Sequence, residues 1–155
     1  MVDVLLYLFR NYFHPNLGSD PQHLAVELTD AGFDPAEIVR AFLWLEGILH
    51  VNHAKSADSK HASIRHYNGE ESRKLTLKSQ GLLLSLEQAG ILDQETRELV
   101  IDRAMALDVN EINVAGMKWV VFMVLLNRHR PAETTDETVE WLERTIFEPV
   151  EYVLH

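Results

Sequence analysis

The stretch that most constrains the fold runs from residue 23 to residue 67, because helix boundaries follow each other closely there. A capping acid precedes a proline at two points, which is a typical helix start: Asp20-Pro21 lies just before this stretch, and Asp34-Pro35 lies within it. Gly32 stands between them, where a left-handed residue commonly ends a helix. We therefore predict a helix-turn-helix unit with helices over 21–31 and 35–47.

The residues around this unit complete the expected pattern of a winged helix. Apolar residues at helical spacing predict a first helix over 2–13. Residues 48–53 and 63–67 alternate like short strands on either side of a polar tip at 54–61, which predicts a hairpin wing. A linker across 52–66 without regular structure fits the same residues, because the alternation is short.

The chain from Asn68 onward has a helical pattern throughout. It predicts helices over 68–88 with a break near 76–79, from the Asp93 cap to about 107, over 114–127 and over 136–148. The helix over 114–127 is apolar on nearly every face, as expected of a central core helix or of one half-buried at an interface. We expect a mainly α protein in which a winged-helix-like unit, residues 1–67, packs on an acidic helical unit, residues 68–155. A shared core would form through Leu43, Trp44 and residues 119–126.

Charge and composition restrict the kinds of function. The 155 residues include 24 acidic and 14 Lys or Arg side chains, a formal charge of −10, and a surface of that sign repels phosphate backbones. The chain has no cysteine, which excludes disulfides and thiolate chemistry and fits a reducing compartment. The N-terminal residues lack the features of a signal peptide, and the apolar run at 119–126 is too short to span a bilayer. We expect a soluble, cytoplasmic protein.

The second helix of the helix-turn-helix does not resemble one that reads DNA. Its outer face carries Val39, Leu43 and Trp44, and Arg40 is its only base, opposed by nearby acids. A recognition helix instead presents polar and basic side chains to the major groove. We expect this face to pack on another helix of the protein or on a protein partner.

The predicted wing gives the alternative, a nucleic-acid-binding function. Lys55, Lys60 and Arg65 oppose a single acid there and would contact phosphates, although they fit a solvated loop at least as well. The histidines of the same stretch have spacings that a zinc site could use, but no cysteine and no helical His-x-x-x-His pair supports one, so we expect neither a metal nor a cofactor. Glu95, Glu98 and Asp102 follow helical ion-pair spacing, and with no nucleophile or phosphate loop beside them they predict no catalytic site.

Long segments of the chain resemble the bacterial Smg protein family. They include DVLLYLFRNYFH, LTDAGFDPAEIVRAFLWLE, SIRHYNGEE, GLLLSLEQAGILDQETRELVIDRAMALD and MKWVVFMVLLN, together with the terminal Leu154-His155. The resemblance implies a small cytoplasmic proteobacterial protein and brings no catalytic or ligand-binding residues. Family members tend to have Thr-Pro where this chain has Asn68-Gly69, so we expect a looser helix start at that point.

Together these features predict a non-enzymatic protein-interaction module, an acidic adaptor linked to the nucleic-acid machinery. Its partner would be basic and would dock on the second helix of the helix-turn-helix, residues 35–47, or on the acidic second half of the chain. The residues expected to contact that partner are Val39, Arg40, Leu43, Trp44, Glu140 and Glu143.

Overall fold

The computed structural model describes residues 1–12, 20–49 and 65–128, together with Glu140 and Arg144, which are both helical. The described chain is mainly α, as predicted, and apart from one bridge between two residues it has no β structure. Its helices are α1 Val2–Tyr12, α2 Pro21–Asp30, α3 Pro35–Leu49, α4 Gly69–Lys74, α5 Leu77–Gln88, α6 Gln94–Met105 and α7 Val114–Arg128.

Local side-chain chemistry sets most of these boundaries where the sequence predicts them. The Asp20 carboxylate accepts a hydrogen bond from the Gln22 amide at the start of α2, and Asp93 accepts one from the Thr96 amide at the start of α6. Gly32 and Gly90 follow α2 and α5 with φ of 94° and 75°, the left-handed conformation expected after a helix end. The predicted helix ends at these two glycines are confirmed.

Helix α3 is longer than the sequence pattern suggests, and the prediction of a strand beginning at Ile48 is wrong. Ile48 is buried one turn after Trp44, on the same stripe as Ala41, so it continues the helix's packing surface. The rest of the predicted hairpin, residues 50–64, lies outside the described residues, as does most of the predicted helix over 136–148.

The predicted break near Thr76 occurs between α4 and α5. Leu75 forms an isolated parallel bridge with Ile112: the Thr76 amide donates to the Ile112 carbonyl over 3.2 Å, and the Ile112 amide donates to the Lys74 carbonyl over 2.6 Å. The Thr76 hydroxyl then accepts from the Ser79 amide and caps α5. The bridge therefore joins the start of α5 to the loop that precedes α7.

Helix α7 is the centre of the molecule. It packs against α3, α5 and α6, and its residues from 119 to 125 are all buried. This agrees with the core interpretation of its apolar sequence. The N-terminal helices join the same cluster of buried side chains, because Phe9 of α1 lies edge-on to Phe122, with ring centroids 5.2 Å apart.

Candidate interaction surfaces

The outer face of α3 leaves two large aliphatic side chains uncovered. Val39 is 56% exposed and Leu43 is 60% exposed, one turn apart on the same face. The expectation that Leu43 contributes to a shared core is therefore wrong. Single exposed aliphatic residues are ordinary, but a contiguous pair beside a groove is a typical feature of a docking surface.

Trp44, predicted to contact a partner, belongs instead to the interior. It is 3% exposed, and its ring stacks on Trp119 of α7 with centroids 5.5 Å apart. Its indole Nε1 donates to the Arg103 carbonyl over 2.8 Å, and the Arg103 guanidinium donates to the Trp44 carbonyl over 3.3 Å. Trp44 holds α3 against α6 and α7, and its side chain is almost wholly buried.

An open groove runs beside Leu43 between α3 and the end of α6. It has a volume of 460 Å³, and its lining includes Leu43, Arg103 and Leu107. The Arg40 guanidinium donates to the Asp108 carboxylate across this groove over 3.2 Å. Because both partners of this pair are well exposed, the pair is weak and a ligand can displace it.

Of the acidic residues predicted to contact a partner, Glu140 is helical and exposed. Glu143 lies outside the described residues, and so do Lys55 and Lys60 of the alternative nucleic-acid surface. Only Arg65 of that basic set can therefore be placed.

Arg65 lies in a partly buried ion-pair cluster with Glu71 and the more exposed Glu98. Its guanidinium donates to both oxygens of Glu71, over 2.8 and 2.9 Å, and to both oxygens of Glu98, over 2.6 and 3.1 Å. It also lies 4.8 Å from the centre of the Tyr67 ring. The expected contact of Arg65 with phosphates stays a prediction, and the structure does not favour it, because two carboxylates already use the donors of its guanidinium.

A second arginine extends the same cluster to α5. The buried Arg97 donates to both oxygens of Glu87, over 2.7 and 2.8 Å, and to Glu98 over 3.0 Å. The chain segment before α4 is thereby joined to α4, α5 and α6. Helical spacing predicts that Glu98 forms an ion pair, but its partner Arg65 lies 33 residues away in the chain and has no local sequence signal.

Both carboxylates that pair with Arg65 have lowered pKa values, which favours their ionised forms. The hydrogen bonds from Arg65 lower the pKa of Glu71. Burial opposes the ionisation of Glu98, but the hydrogen bonds from Arg65 and Arg97 outweigh it and lower its pKa as well. Burial raises the pKa of the Tyr67 phenol. The two lowered carboxylate pKa values are those expected of a stable ion-pair cluster.

The described part of the chain offers no group of His, Asp or Glu side chains that is able to hold a metal ion. Among the helices that the structure describes, none is long and apolar enough to cross a membrane.

These features define a mainly helical protein whose helices α3, α5 and α6 pack around the apolar helix α7 and which carries exposed apolar surfaces. Over residues 1–155 the chain matches the family described as "Protein of unknown function (DUF494)". It is 42% identical to the "Protein Smg homolog" of Nitrosococcus oceani over 159 residues, which cover 100% of this chain and 98% of that relative. It is 41% identical to the "Protein Smg homolog" of Shewanella piezotolerans, over 100% of this chain and 99% of that relative.

The chain therefore belongs to the Smg protein family, as its sequence resemblance indicates. No solved structure matches it.

Proposed function

We propose that this protein is a non-enzymatic protein-interaction module that docks a partner on the outer face of α3. We also propose that α1 to α3 are the helical part of a winged helix and that the protein works in the cytoplasm. The observation that carries the proposal is the pair Val39 and Leu43, which stay exposed while the adjacent Trp44 is buried, with Leu43 lining a groove. A face of this composition suits apolar contact with a protein better than contact with bases.

The charge of the chain supports a basic partner. The protein has a formal charge of −10, and residues 70–155 alone sum to −7. Such a field attracts cationic partners at long range and speeds their association. Within the groove itself, displacement of Arg40 from Asp108 would free a carboxylate for a basic side chain of the partner. We therefore propose a segment with an apolar anchor and basic flanking residues.

The first step of the test is to find the segment that contacts α3. A photo-crosslinking amino acid at position 43, introduced in the cells that produce the protein, would capture the partner, and mapping the cross-link would give the segment's sequence. The proposal requires an apolar segment with basic neighbours. Cross-linking to an acidic segment, or to nucleic acid, would overturn it.

The second step is quantitative and uses a matched control. Leu43→Asp should weaken binding of the purified partner by about tenfold or more, as at an interface hot spot. Val26→Asp is the control, because Val26 of α2 is 60% exposed, the same fraction as Leu43. Equal affinity of the two variants for the partner would contradict a docking role for α3.

Two further measurements separate the competing surfaces. Reversing the charges of Glu140 and Glu143 tests the acidic C-terminal surface. It should lower the association rate constant and have a smaller effect on the dissociation rate constant. Titration with mixed DNA and RNA at low salt tests the alternative function. Binding that is lost when Lys55 and Lys60 are neutralised would replace the α3 proposal with a nucleic-acid-binding one.

A further inference from the structure

Helix α5 presents an exposed stripe that the packing of the described chain does not use. Leu77, Gly81 and Leu84 follow each other at spacings of four and three residues, so they lie on one face. Leu77 is 84% exposed, Leu84 is 44% exposed and Gly81 between them is exposed. The opposite face carries the residues that pack on the core, among them Leu83 and Leu86.

Gly81 has no structural reason within the described chain to be glycine. It lies in the interior of α5, outside the set of glycines with positive φ, and a Cβ atom at this position would have nothing within 4 Å. Alanine would make the helix more stable at no steric cost, since glycine loses more backbone entropy on folding. A glycine between two exposed leucines instead suits the close approach of another backbone.

The charge around this stripe is opposite to that of the whole protein. Residues 72–86 contain three basic side chains and no acid, although the chain has a formal charge of −10. Arg73 and Lys78 are exposed: Lys78 adjoins Leu77 in α5, and Arg73 lies in α4, four residues before Leu77. The nearest acid after this run, Glu87, is already paired with Arg97. A partner that covers α5 therefore meets leucines and basic side chains.

A cleft borders the stripe on its other side. It has a volume of 210 Å³, and Gly81, Leu84 and Tyr67 contribute to its lining. Its arginines, Arg65 and Arg97, are held by carboxylates, so the cleft suits an apolar side chain better than an anion.

We propose that α5 is a second docking site, distinct from the α3 face, that binds an acidic amphipathic helix. The helix crosses α5 at Gly81, its apolar side chains contact Leu77 and Leu84, and one of them enters the cleft beside Tyr67. Its carboxylates pair with Arg73 and Lys78. The protein then has docking faces for segments of opposite charge, which is the arrangement of an adaptor.

The test uses two designed helical peptides as probes, with the same leucine pattern and either Glu or Lys at every other polar position. Two-dimensional NMR of the full chain should show the Glu peptide shifting amide signals of residues 77–88, and its affinity should fall as salt is raised. The Lys peptide should leave these signals unchanged. No shift with the Glu peptide, or equal shifts with both peptides, would overturn the proposal.

Substitutions at Gly81 separate docking from folding. Gly81→Leu should weaken binding of the Glu peptide by about tenfold, because its side chain keeps the two helix backbones apart. Gly81→Ala should raise the melting temperature by about 2–4 °C and still lower the affinity. Gly69→Leu is the control, since Gly69 of α4 also has open space at its Cβ position. A Gly81→Leu protein that binds like wild type would contradict a helix crossing at this residue.

Charge variants and the oligomeric state test the identity of the partner. Neutralisation of Arg73 and Lys78 should abolish the salt dependence of peptide binding, and an unchanged dependence would contradict the proposed pairing. Sedimentation of the protein alone should give a monomer across the concentrations used. A dimer dispersed by Leu84→Asp would show that α5 serves self-association instead, and would overturn the proposal.

Discussion

Arg65 illustrates how strongly a single side chain depends on its surroundings for its role. In sequence it stands among lysines and histidines and resembles a phosphate-binding residue. In the structure its donors are shared between Glu71 and Glu98, and its guanidinium lies over Tyr67. Because those carboxylates belong to α4 and α6, Arg65 holds the start of the second half of the chain in position.

Removal of this guanidinium should destabilise the protein. We expect Arg65→Gln to lower the free energy of unfolding by about 2 kcal/mol, since a part-buried carboxylate loses its partner while the more exposed Glu98 is partly screened by water. Arg73→Gln, at an exposed arginine, should change it by less than about 0.5 kcal/mol. Urea unfolding of the variants measures both values. Equal stability of the two variants would contradict the structural role of Arg65.

The same cluster predicts loss of stability in acid. The pKa values of Glu71 and Glu98 are lowered in the folded state, so their contribution is complete above the ordinary glutamate range and is lost as pH falls through the lowered values. We expect the free energy of unfolding to fall between about pH 5 and pH 3. Glu71→Gln should be less stable than wild type at pH 7 and should lose less on acidification. A Glu71→Gln variant that loses as much stability on acidification as wild type would contradict this contribution.

At the scale of elements, the sequence predicts where helices start and stop because capping is local. Asn68 shows this well: its side chain accepts from the Glu71 amide, and the Glu71 side chain accepts from the Asn68 amide, which completes a capping box. The looser start expected from Asn68-Gly69 is therefore compensated by Glu71. The strand predicted from Ile48 is wrong for the opposite reason, because Ile48 is helical through its burial in the tertiary structure. A short alternating run in the sequence does not reveal that burial.

Glycines in different surroundings should lose stability on substitution for different reasons. Gly32→Ala and Gly90→Ala should each cost about 1 kcal/mol, because these glycines have positive φ at helix ends. Gly47→Ala should also destabilise the protein, since a Cβ atom there would displace the Arg103 guanidinium from its hydrogen bond to the Trp44 carbonyl. Thermal unfolding of the three alanine variants and of the wild-type protein would measure these losses of stability. A stabilised Gly32→Ala variant would contradict the helix end described at that position.

At the scale of the molecule, the pairing of α3 with α7 is predictable in part. The apolar composition of α7 indicates a core helix, and the sequence correctly places Trp44 beside it. Leu43, next to Trp44, shows the limit of this reasoning. On a helix apolar around most of its circumference, the sequence does not determine which apolar face is buried, because that depends on the crossing of α3 over α6 and α7. The α5 surface is missed for a related reason, since its leucines resemble core residues.

The Trp44–Trp119 stack predicts that the N-terminal helices and α6–α7 unfold together. Its loss removes both an aromatic contact and the hydrogen bond from Trp44 to the Arg103 carbonyl, so Trp44→Ala should cost about 3–5 kcal/mol and Trp44→Phe less. Leu43→Ala, one residue away and exposed, should cost less than about 0.5 kcal/mol.

Urea unfolding of the wild-type protein, followed by circular dichroism and by hydrogen exchange in α1 and α7, should give coincident transitions. Separate transitions for the two halves would mean that they fold independently and that the tryptophan stack is only a contact between them. A single transition that Trp44→Phe shifts as a whole would instead establish one cooperative unit, in which a partner bound at α3 stabilises α7 as well.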